Sequence, residues 1–228
     1  MARSRTGACA SSARRISVGK KGVFITFEGP EGSGKTSQLP ALADYLRQAG
    51  YRVLTTREPG GTPIGDQVRS VLMGLKNTEM QPRTEILLFQ ASRAQLVEQV
   101  ILPHLADGFV VLCDRYADST LAYQGYGYQK FKLEQLRPLI AFATGGLAPD
   151  LTLLLDVEVD LGLQRRMQDG DYNRLDVYER AFYERVRQGY QELARREPER
   201  WVTVDAGQPP EQVQAAIRQI VMSRLNNV

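Results

Sequence analysis

A glycine-rich segment near the beginning of the chain carries the residues best suited to chemistry. Residues 29–36 read Gly-Pro-Glu-Gly-Ser-Gly-Lys-Thr and match the pattern G-x-x-x-x-G-K-[ST]. The segment lies between a predicted strand, 23–28, and a predicted helix, 36–49. Glycines allow backbone N–H groups to turn inward around phosphate oxygens, and the N-terminus of the following helix adds its positive dipole end. The pattern therefore predicts a site for nucleotide phosphates.

Two side chains of this loop have individual roles in the prediction. Lys35 is expected to reach the β- and γ-phosphates, and the Thr36 hydroxyl is expected to ligate Mg²⁺. The sequence contains no N-K-x-D run, with which GTPases read guanine, and no L-S-G-G-Q-like run of the ABC ATPases. These two classes of P-loop protein are therefore excluded.

Asp114 and Arg115 follow the third predicted strand, 109–114. An aspartate at a strand tip beside a P-loop is suited to hold Mg²⁺ through its water shell, and an adjacent arginine can clamp a phosphoryl group. The structural alternative is that Asp114 caps the next helix, while Arg115 forms a surface ion pair.

Short apolar runs alternate with longer helical patterns from residue 22 onward. Several runs are apolar almost throughout, which is typical of strands covered on both faces of a parallel sheet. The predicted strands are 23–28, 52–56, 109–114, 151–156 and 201–205. The predicted helices are 36–49, 83–106, 133–144, 177–196 and 211–225. This alternation predicts an α/β fold, a doubly wound five-stranded parallel sheet of the P-loop NTPase type with active-site loops at the carboxyl ends of its strands.

Composition narrows the class of protein further. The 228 residues are 43% apolar and 24% charged, which excludes collagen-like and wholly disordered chains. No stretch approaches 18 uncharged apolar residues, so we expect no membrane span and no membrane partner. The single histidine and the widely separated Cys9 and Cys113 exclude a Cys/His zinc site. They also argue against a disulfide scaffold and favour the cytoplasm.

The positive charge of the chain is concentrated in residues 1–21. This segment holds six basic residues and no acidic one, which leaves 23 basic against 26 acidic residues in the remainder. We therefore predict a disordered basic extension over 1–21 and a single P-loop domain over 22–228, without a nucleic-acid partner. An organellar transit peptide and an untargeted extension are both open interpretations of residues 1–21.

Six short stretches resemble the bacterial thymidylate kinase family, and together they extend over about residues 22–226. They are residues 27–36, 57–62, 88–93, 114–125, 149–152 and 173–176. The resemblance implies transfer of the γ-phosphoryl group of Mg·ATP to dTMP, giving dTDP and ADP for dTTP synthesis, by a homodimer. The residues then predicted to bind ATP are Gly29, Pro30, Glu31, Gly32, Ser33, Gly34, Lys35, Thr36 and Ser37.

The resemblance also assigns the site of the acceptor nucleotide. Phe89 is the stacking surface for thymine and Arg93 a donor to a base carbonyl. These two residues are four apart on a predicted helix and so share a face. From the residues alone, Phe89 also fits an apolar helix stripe that faces the core. The full set predicted to bind dTMP is Glu31, Arg57, Glu58, Pro59, Arg69, Phe89, Arg93, Arg115, Ser119, Thr120, Tyr123 and Gln124.

Within that set the implied roles differ. Arg57, Arg69 and Arg115 clamp the 5′-phosphate, for which a planar guanidinium is well suited. Glu31 accepts from the 3′-hydroxyl, whereas its alternative is a solvent-facing carboxylate. Tyr123 packs against the ribose. The thymine edge is contacted by Thr120 and Gln124. Arg69 is equally compatible with a plain helix surface.

Residues 165–176 are basic and contain a glycine, and we predict that they form a mobile lid. In the family, members without an arginine in the P-loop supply arginines from this lid, and positions 30–33 here contain none. An arginine there would neutralise charge on the transferring phosphoryl group. The predicted catalytic residues are Lys35, Asp114, Arg115, Arg166 and Arg174, with Thr36 and Asp114 as the Mg²⁺ ligands. For Arg174, an adenine contact or a structural contact is the alternative.

Two other functions remain open from the sequence. One is a kinase for another pyrimidine monophosphate or for a nucleoside. The other is a P-loop switch or nucleic-acid-binding protein without catalytic activity, for which only the basic residues 1–21 argue.

Overall fold

A computed structural model describes residues 22–169, 174 and 178–226 of the chain. Its centre is a five-stranded parallel sheet with the strand order β2-β3-β1-β4-β5. The strands are β1 Val23–Glu28, β2 Val53–Arg57, β3 Val110–Asp114, β4 Leu151–Asp156 and β5 Trp201–Asp205. The predicted basic extension, 1–21, and most of the second half of the predicted lid, 170–173 and 175–176, lie outside the described residues.

Helices connect successive strands. They are α1 Lys35–Gln48, α2 Pro63–Met73, α3 Pro82–Leu96, α4 Leu102–Ala106, α5 Ala117–Thr120, α6 Leu133–Thr144, α7 Val159–Asp169, α8 Arg180–Arg196 and α9 Pro210–Asn226. A π-helical segment, Val97–Ile101, joins α3 to α4, and a second one, Leu121–Gly127, continues α5. None of the helices in the described ranges is long and apolar enough to cross a membrane.

The predicted α/β fold with five parallel strands is confirmed. Three predicted strands have the observed bounds. The predicted strand 109–114 begins one residue too early, and 52–56 is displaced by one residue at both ends. The predicted helix 83–106 is one helical run in which the π-helical segment separates α3 from α4.

Helix α2 was not predicted, although the sequence contains the signals for it. The Thr62 hydroxyl accepts a hydrogen bond from the Gly65 backbone N–H at 2.9 Å, and Pro63 occupies the first turn. A threonine N-cap followed by proline is a typical helix start.

The apolar core lies on both faces of the sheet because successive strand residues point to opposite sides. Ile25 and Phe27 of β1 pack toward α1 and α9, where Leu42 and Ile217 are buried. Phe24 points to the other face and packs with residues of β3 and the α3–α4 run. A third cluster of buried residues joins β4 and α8 to the second π-helical segment.

The strand register places the chemically interesting residues at one edge of the sheet. Asp114 at the end of β3 is paired with Phe27 of β1 on one side and with Arg57 of β2 on the other. The glycine-rich loop directly follows β1, so the loop, Asp114 and Arg57 share the carboxyl edge. This is the edge at which ligands bind in open α/β sheets.

Candidate active site

The glycine-rich loop forms a tight turn between β1 and α1. Gly32 has a φ of +65° and lies against α7, where a Cβ atom would meet the carbonyl oxygen of Gly162 at 1.9 Å. Gly162 in turn approaches the backbone of Glu31 closely. Only glycine fits such a contact at this φ. The loop is therefore seated directly on the helix that carries Arg165 and Arg166, two of the three arginines of the predicted lid.

Lys35 is curled into this loop. Its ammonium group donates to the carbonyl oxygens of Gly29 at 3.1 Å and Pro30 at 2.9 Å, and to Oγ of Ser33 at 2.9 Å. All three N–H donors of the group are thereby used. Burial and the charge of Arg115 lower the pKa of Lys35 to about 8. A phosphate that binds Lys35 replaces contacts within the loop.

The loop residues divide into two groups. Residues 31–37 line an open cleft, as predicted for phosphate binding. Gly29 and Pro30, which were also predicted to bind ATP, are buried and do not line the cleft. For these two residues the observed contact is different, because their carbonyl oxygens hold Lys35 and that of Gly29 also accepts from Arg115.

Asp114 and Thr36 both line the same cleft. Oδ1 of Asp114 is buried and has no hydrogen-bond partner in the described part of the chain, whereas Thr36 is exposed. An unsatisfied buried acceptor requires a donor or a cation, and the water shell of Mg²⁺ supplies the former. Among the described residues, no cluster of three or more His, Cys, Asp or Glu side chains could hold a metal ion by itself. Mg²⁺ needs no such cluster where substrate phosphates complete its coordination.

Arg115 connects the glycine-rich loop to the opposite wall of the cleft. It donates to the carbonyl oxygen of Gly29 at 3.0 Å and to Oε1 of Glu31 at 3.0 Å, and its guanidinium carbon lies 5.0 Å from the ring centroid of Tyr123. Its backbone has a φ of +66°, a left-handed conformation that is uncommon for a non-glycine residue. Such conformations persist where surrounding contacts determine them, and they cluster at functional sites.

Glu28 supplies several of those contacts, and the sequence analysis assigned it no role. Its Oε1 accepts from the Tyr116 backbone N–H at 2.8 Å, and its Oε2 accepts from Ser119 and Tyr190 at 2.7 and 2.9 Å. The same two hydroxyls are partners of Arg115 Nη1. Burial, and then the charge of Asp118, raise the pKa of Glu28 to about 7. An acid at the end of an otherwise apolar strand was the available signal for a buried functional carboxyl.

Glu31 faces the cleft rather than bulk solvent. Its Oε1 accepts from Arg115 and, at 2.9 Å, from the hydroxyl of Tyr123. Burial by itself would raise the pKa of this carboxyl, but the charges of Arg115 and Lys35 outweigh it and lower the pKa. Glu31 is therefore an anionic acceptor inside a cationic loop.

The cleft has a volume of about 800 Å³, which lies within the range of small-molecule sites. It brings together all of the predicted site residues except Gly29, Pro30 and Arg174. A second group of lining residues was not predicted, namely Gln38, Met73, Gln168, Pro210 and Val213. They belong to no motif and are of types common in any helix, so the sequence contains no signal for them.

Phe89 lines the cleft from α3 and is half-buried. The core clusters of the described residues do not include it. The alternative that Phe89 belongs to a core-facing stripe is therefore wrong, and a stacking role remains the prediction for it.

Arg93 also lines the cleft, but its guanidinium is fully engaged inside the protein. It donates to Oε2 of Glu58 from Nε and Nη2, and to the carbonyl oxygen of Tyr116 from Nη2. Nη1 donates to Gln90 and Thr120, each at 2.9 Å. These five hydrogen bonds use every N–H of the side chain. A bond from Arg93 to a base carbonyl would have to replace one of them.

The predicted phosphate clamp is placed at the rim of the cleft. Arg57 is exposed and donates to Oδ1 of Asp66 at 3.2 Å. Arg69, on α2, donates to the carbonyl oxygen of Pro59 at 3.0 Å and is partly buried, which disfavours a plain surface role. Pro59 lines the cleft beside Glu58, whose carboxylate is held by Arg93.

The predicted lid arginines do not share one environment. Arg165 and Arg166 lie on α7 and line the cleft. Arg165 donates to the carbonyl oxygen of Ala206 at 2.8 Å, in the loop after β5. The charge of Arg166 contributes to the lowered pKa of Glu31.

The prediction of a catalytic role for Arg174 requires correction. This side chain is 8% exposed, does not line the cleft, and donates to the carbonyl oxygen of Leu72 at 2.8 Å. It also forms an ion pair with the buried Glu85. The ion pair with Glu85 holds the guanidinium in the interior. Arg174 therefore makes a structural contact, which was the alternative to a catalytic role.

Comparisons with known proteins agree with this geometry. The chain is 54% identical over 195 residues to a thymidylate kinase of Thermomicrobium roseum, a match that covers 85% of this chain and 91% of the relative. It is 52% identical over 210 residues to a thymidylate kinase of Herpetosiphon aurantiacus, which covers 81% and 89% of the two chains.

The structure and a family model agree as well. The fold is similar to the crystal structure of thymidylate kinase from Ehrlichia chaffeensis, with a TM-score of 0.70, 33% identity, and coverage of 88% of this chain and 98% of that chain. The family model described as thymidylate kinase matches residues 27–217. The resemblance inferred from the six short stretches is confirmed, and the chain belongs to the thymidylate kinase family.

Proposed function

We propose that this chain transfers the γ-phosphoryl group of Mg·ATP to the 5′-phosphate of dTMP, giving dTDP and ADP for dTTP synthesis. Phosphorylation of dTMP is the activity of the family to which the chain belongs. The observation that carries the proposal is that one cleft is lined by two kinds of residue. The P-loop lines one part of it, and a wall that contains the aromatic ring of Phe89 and the amide of Gln124 offers space for a base. Arg115 contacts both the loop and Tyr123 of that wall.

ATP binds with its phosphates on residues 31–37. The backbone N–H groups of the loop and the N-terminus of α1 surround the phosphates, and Lys35 exchanges its contacts within the loop for phosphate oxygens. Ala206 and Gln208 line the cleft after β5 and support an adenine position there.

Thr36 and Asp114 would hold the Mg²⁺ ion of Mg·ATP, Thr36 with its hydroxyl and Asp114 with its carboxylate. Bound there, the ion would neutralise charge on the β- and γ-phosphates. The unpartnered Oδ1 of Asp114 and the position of both residues in the cleft support this assignment.

dTMP binds at the other end of the cleft. Phe89 stacks on thymine, Tyr123 packs against the ribose, and Arg57, Arg69 and Arg115 bind the 5′-phosphate. Stacking of a base on an aromatic side chain is worth about 1–3 kcal/mol. The further acceptor residues, all on the cleft wall, are Glu31, Glu58, Pro59, Arg93, Ser119, Thr120 and Gln124.

The reaction requires no general base. The accepting phosphate oxygen is already anionic, so the residues of the cleft contribute by positioning and by stabilising charge. Arg115 and Arg166 compensate the charge of the transferring group, as an arginine finger does. The described part of the proposed lid, residues 165–169, carries Arg165 and Arg166 on the cleft wall.

The chain works as a homodimer in the cytoplasm, with residues 22–228 as one kinase domain. Large apolar side chains are exposed on the adjacent helices α3 and α6, with Leu87 56% and Phe142 89% accessible. A second copy of the chain would cover them. The buried Cys113 is a free thiol, which suits a reducing compartment such as the cytoplasm.

An acceptor panel tests the proposal. ADP release from ATP is measured with dTMP, dUMP, dCMP, dGMP and thymidine, and we expect the highest kcat/KM for dTMP. Thymidine should be inactive because the arginine clamp requires a phosphate. Lys35→Ala is the control for turnover by this site, and it should abolish ADP release. A higher kcat/KM for another acceptor would favour the alternative of a different pyrimidine kinase.

A further inference from the structure

Glu85 lies beneath the base-binding end of the cleft without lining it. It is on the first turn of α3 and its side chain is 1% exposed. Oε1 accepts from Nε2 of Gln124 at 3.0 Å and from the hydroxyl of Tyr128 at 2.7 Å, while Oε2 pairs with Arg174. A carboxylate that is ion-paired to arginine can only accept hydrogen bonds.

This contact determines how the amide of Gln124 is oriented. The NH₂ group must face Glu85, because the carbonyl oxygen of an amide has nothing to donate to a carboxylate. Oε1 of Gln124 is then the free end of the amide, and it has no hydrogen-bond partner in the ranges that the structure describes. Gln124 lines the cleft, so the group that it offers to a base is an acceptor.

We propose that Glu85 is a positioning residue that sets base choice by holding Gln124 with its carbonyl oxygen toward the acceptor base. The inference rests on the proposed function, because it concerns the base at the dTMP end of the cleft. A thymine or uracil ring has an N–H at position 3 and can donate to that oxygen. Cytosine has an unprotonated acceptor at the same position, so two acceptors would face each other.

Replacement of Glu85 by glutamine reverses the polarity with almost no change in shape. Arg174 keeps the carbonyl oxygen of the new amide on its side, so the NH₂ group takes the place of Oε1. That group can only donate, and Gln124 must turn its own carbonyl oxygen toward it. The NH₂ group of Gln124 then faces the base, where it opposes the N–H of thymine and suits cytosine.

The experiment compares kcat/KM for dTMP and dCMP in the wild type, Glu85→Gln and Tyr128→Phe. Tyr128→Phe is the matched control because it removes a donor to the same Oε1 but leaves the bond from Gln124. We expect the dTMP/dCMP ratio to fall at least ten-fold in Glu85→Gln and to change less than two-fold in Tyr128→Phe. An unchanged ratio in folded Glu85→Gln would overturn the inference. Wild type inactive with dTMP would instead refute the proposed function.

A measurement on the wild type covers the case in which Glu85→Gln does not fold. The side-chain ¹⁵NH₂ resonances of Gln124 are followed by NMR with and without dTMP. Protection from exchange in both states, with little change in shift, supports an NH₂ group that stays on Glu85. Rapid exchange without dTMP, or a large shift of these resonances on binding, contradicts it.

Discussion

Arg93 donates two hydrogen bonds to a single oxygen of Glu58, from Nε at 2.8 Å and from Nη2 at 2.6 Å. The two side chains are 1% and 3% exposed, so the pair is buried at the base of the acceptor end of the cleft. A buried guanidinium without its carboxylate, or the reverse, is an uncompensated charge in the interior. Loss of this pair should therefore both lower the stability of the protein and change the shape of its binding site.

We predict that Arg93→Ala is strongly destabilising. Removal of one partner of a buried ion pair costs about 3–5 kcal/mol, because the other charge remains buried. The control is Arg57→Ala, which removes an exposed pair with Asp66 and should cost at most about 1 kcal/mol. Urea denaturation gives both free energies of unfolding. Equal losses in the two variants would contradict the interpretation of Arg93 as a structural as well as a binding residue.

The affinity for ATP should fall as the pH rises through 8. The pKa of Lys35 is lowered to about 8 by burial, so the free protein loses this positive charge above that pH. Phosphate favours the charged form, so binding above pH 8 must first restore the proton. Above its pKa, the charged form of Lys35 decreases about tenfold for each pH unit. From pH 7 to pH 9 the Kd of a non-hydrolysable ATP analogue should therefore rise about ten-fold.

The matched variant for this effect is Lys35→Arg. Its guanidinium stays charged throughout the range, so its Kd should vary little between pH 7 and pH 9. A Kd for the wild type that is equally insensitive to pH would show that Lys35 titrates outside this window.

Stability should depend on pH through Glu28. Its pKa is about 7 in the folded protein and 4.5 as an ordinary exposed group, because burial disfavours the carboxylate. The folded state therefore holds this proton in a range where the unfolded chain has released it. The stability that protonated Glu28 contributes is fully present below pH 4.5 and is lost as the pH rises through about 7.

The variant Glu28→Gln stays neutral and removes this dependence. The stability of wild type relative to Glu28→Gln should be greater at pH 5 than at pH 8, by on the order of 2–3 kcal/mol. Urea denaturation at both pH values measures the difference. A difference between wild type and variant that is the same at both pH values would argue against a raised pKa.

Arg166→Ala should reduce kcat much more than it changes the KM for dTMP. A cation that meets charge on the transferring group acts mainly in the transition state, and such an arginine is worth about 10³-fold or more. Arg165→Ala is the comparison, because Arg165 donates to the carbonyl oxygen of Ala206 in the loop after β5, where we place the adenine. We expect its main effect on the KM for ATP. Parallel losses of kcat and of substrate affinity in Arg166→Ala would indicate ground-state binding.

Phe142→Glu should produce a monomer. Phe142 is 89% exposed on α6, and a charge there cannot be buried against a second copy. Light scattering should give the mass of two chains for the wild type and of one chain for the variant. Met167→Glu, at a 77% exposed apolar position on α7, is the control and should remain a dimer. A wild-type mass of one chain at every concentration would refute the homodimer.

Local patterns were sufficient to predict the fold and the position of the site. The strands were recognisable because most are short, largely apolar runs with a helix before the next one. The glycine-rich loop was recognisable because phosphate binding by backbone N–H groups requires glycines at fixed spacing. Since parallel strands end at one edge, Asp114 and Arg57 could be placed beside the loop before their register was known.

What the side chains of the site contact was decided only by the tertiary structure. Residue type alone did not reveal that all five N–H donors of Arg93 form hydrogen bonds inside the protein. Nor did it reveal that Lys35 donates to the backbone of its own loop. Arg174 and Glu85 are 89 positions apart, and nothing in the spacing of either indicates the other. A buried charge pairs with whichever opposite charge the packing of helices and loops brings within reach. Helical and strand periodicity determine the face on which a residue lies, but not its partner across the core.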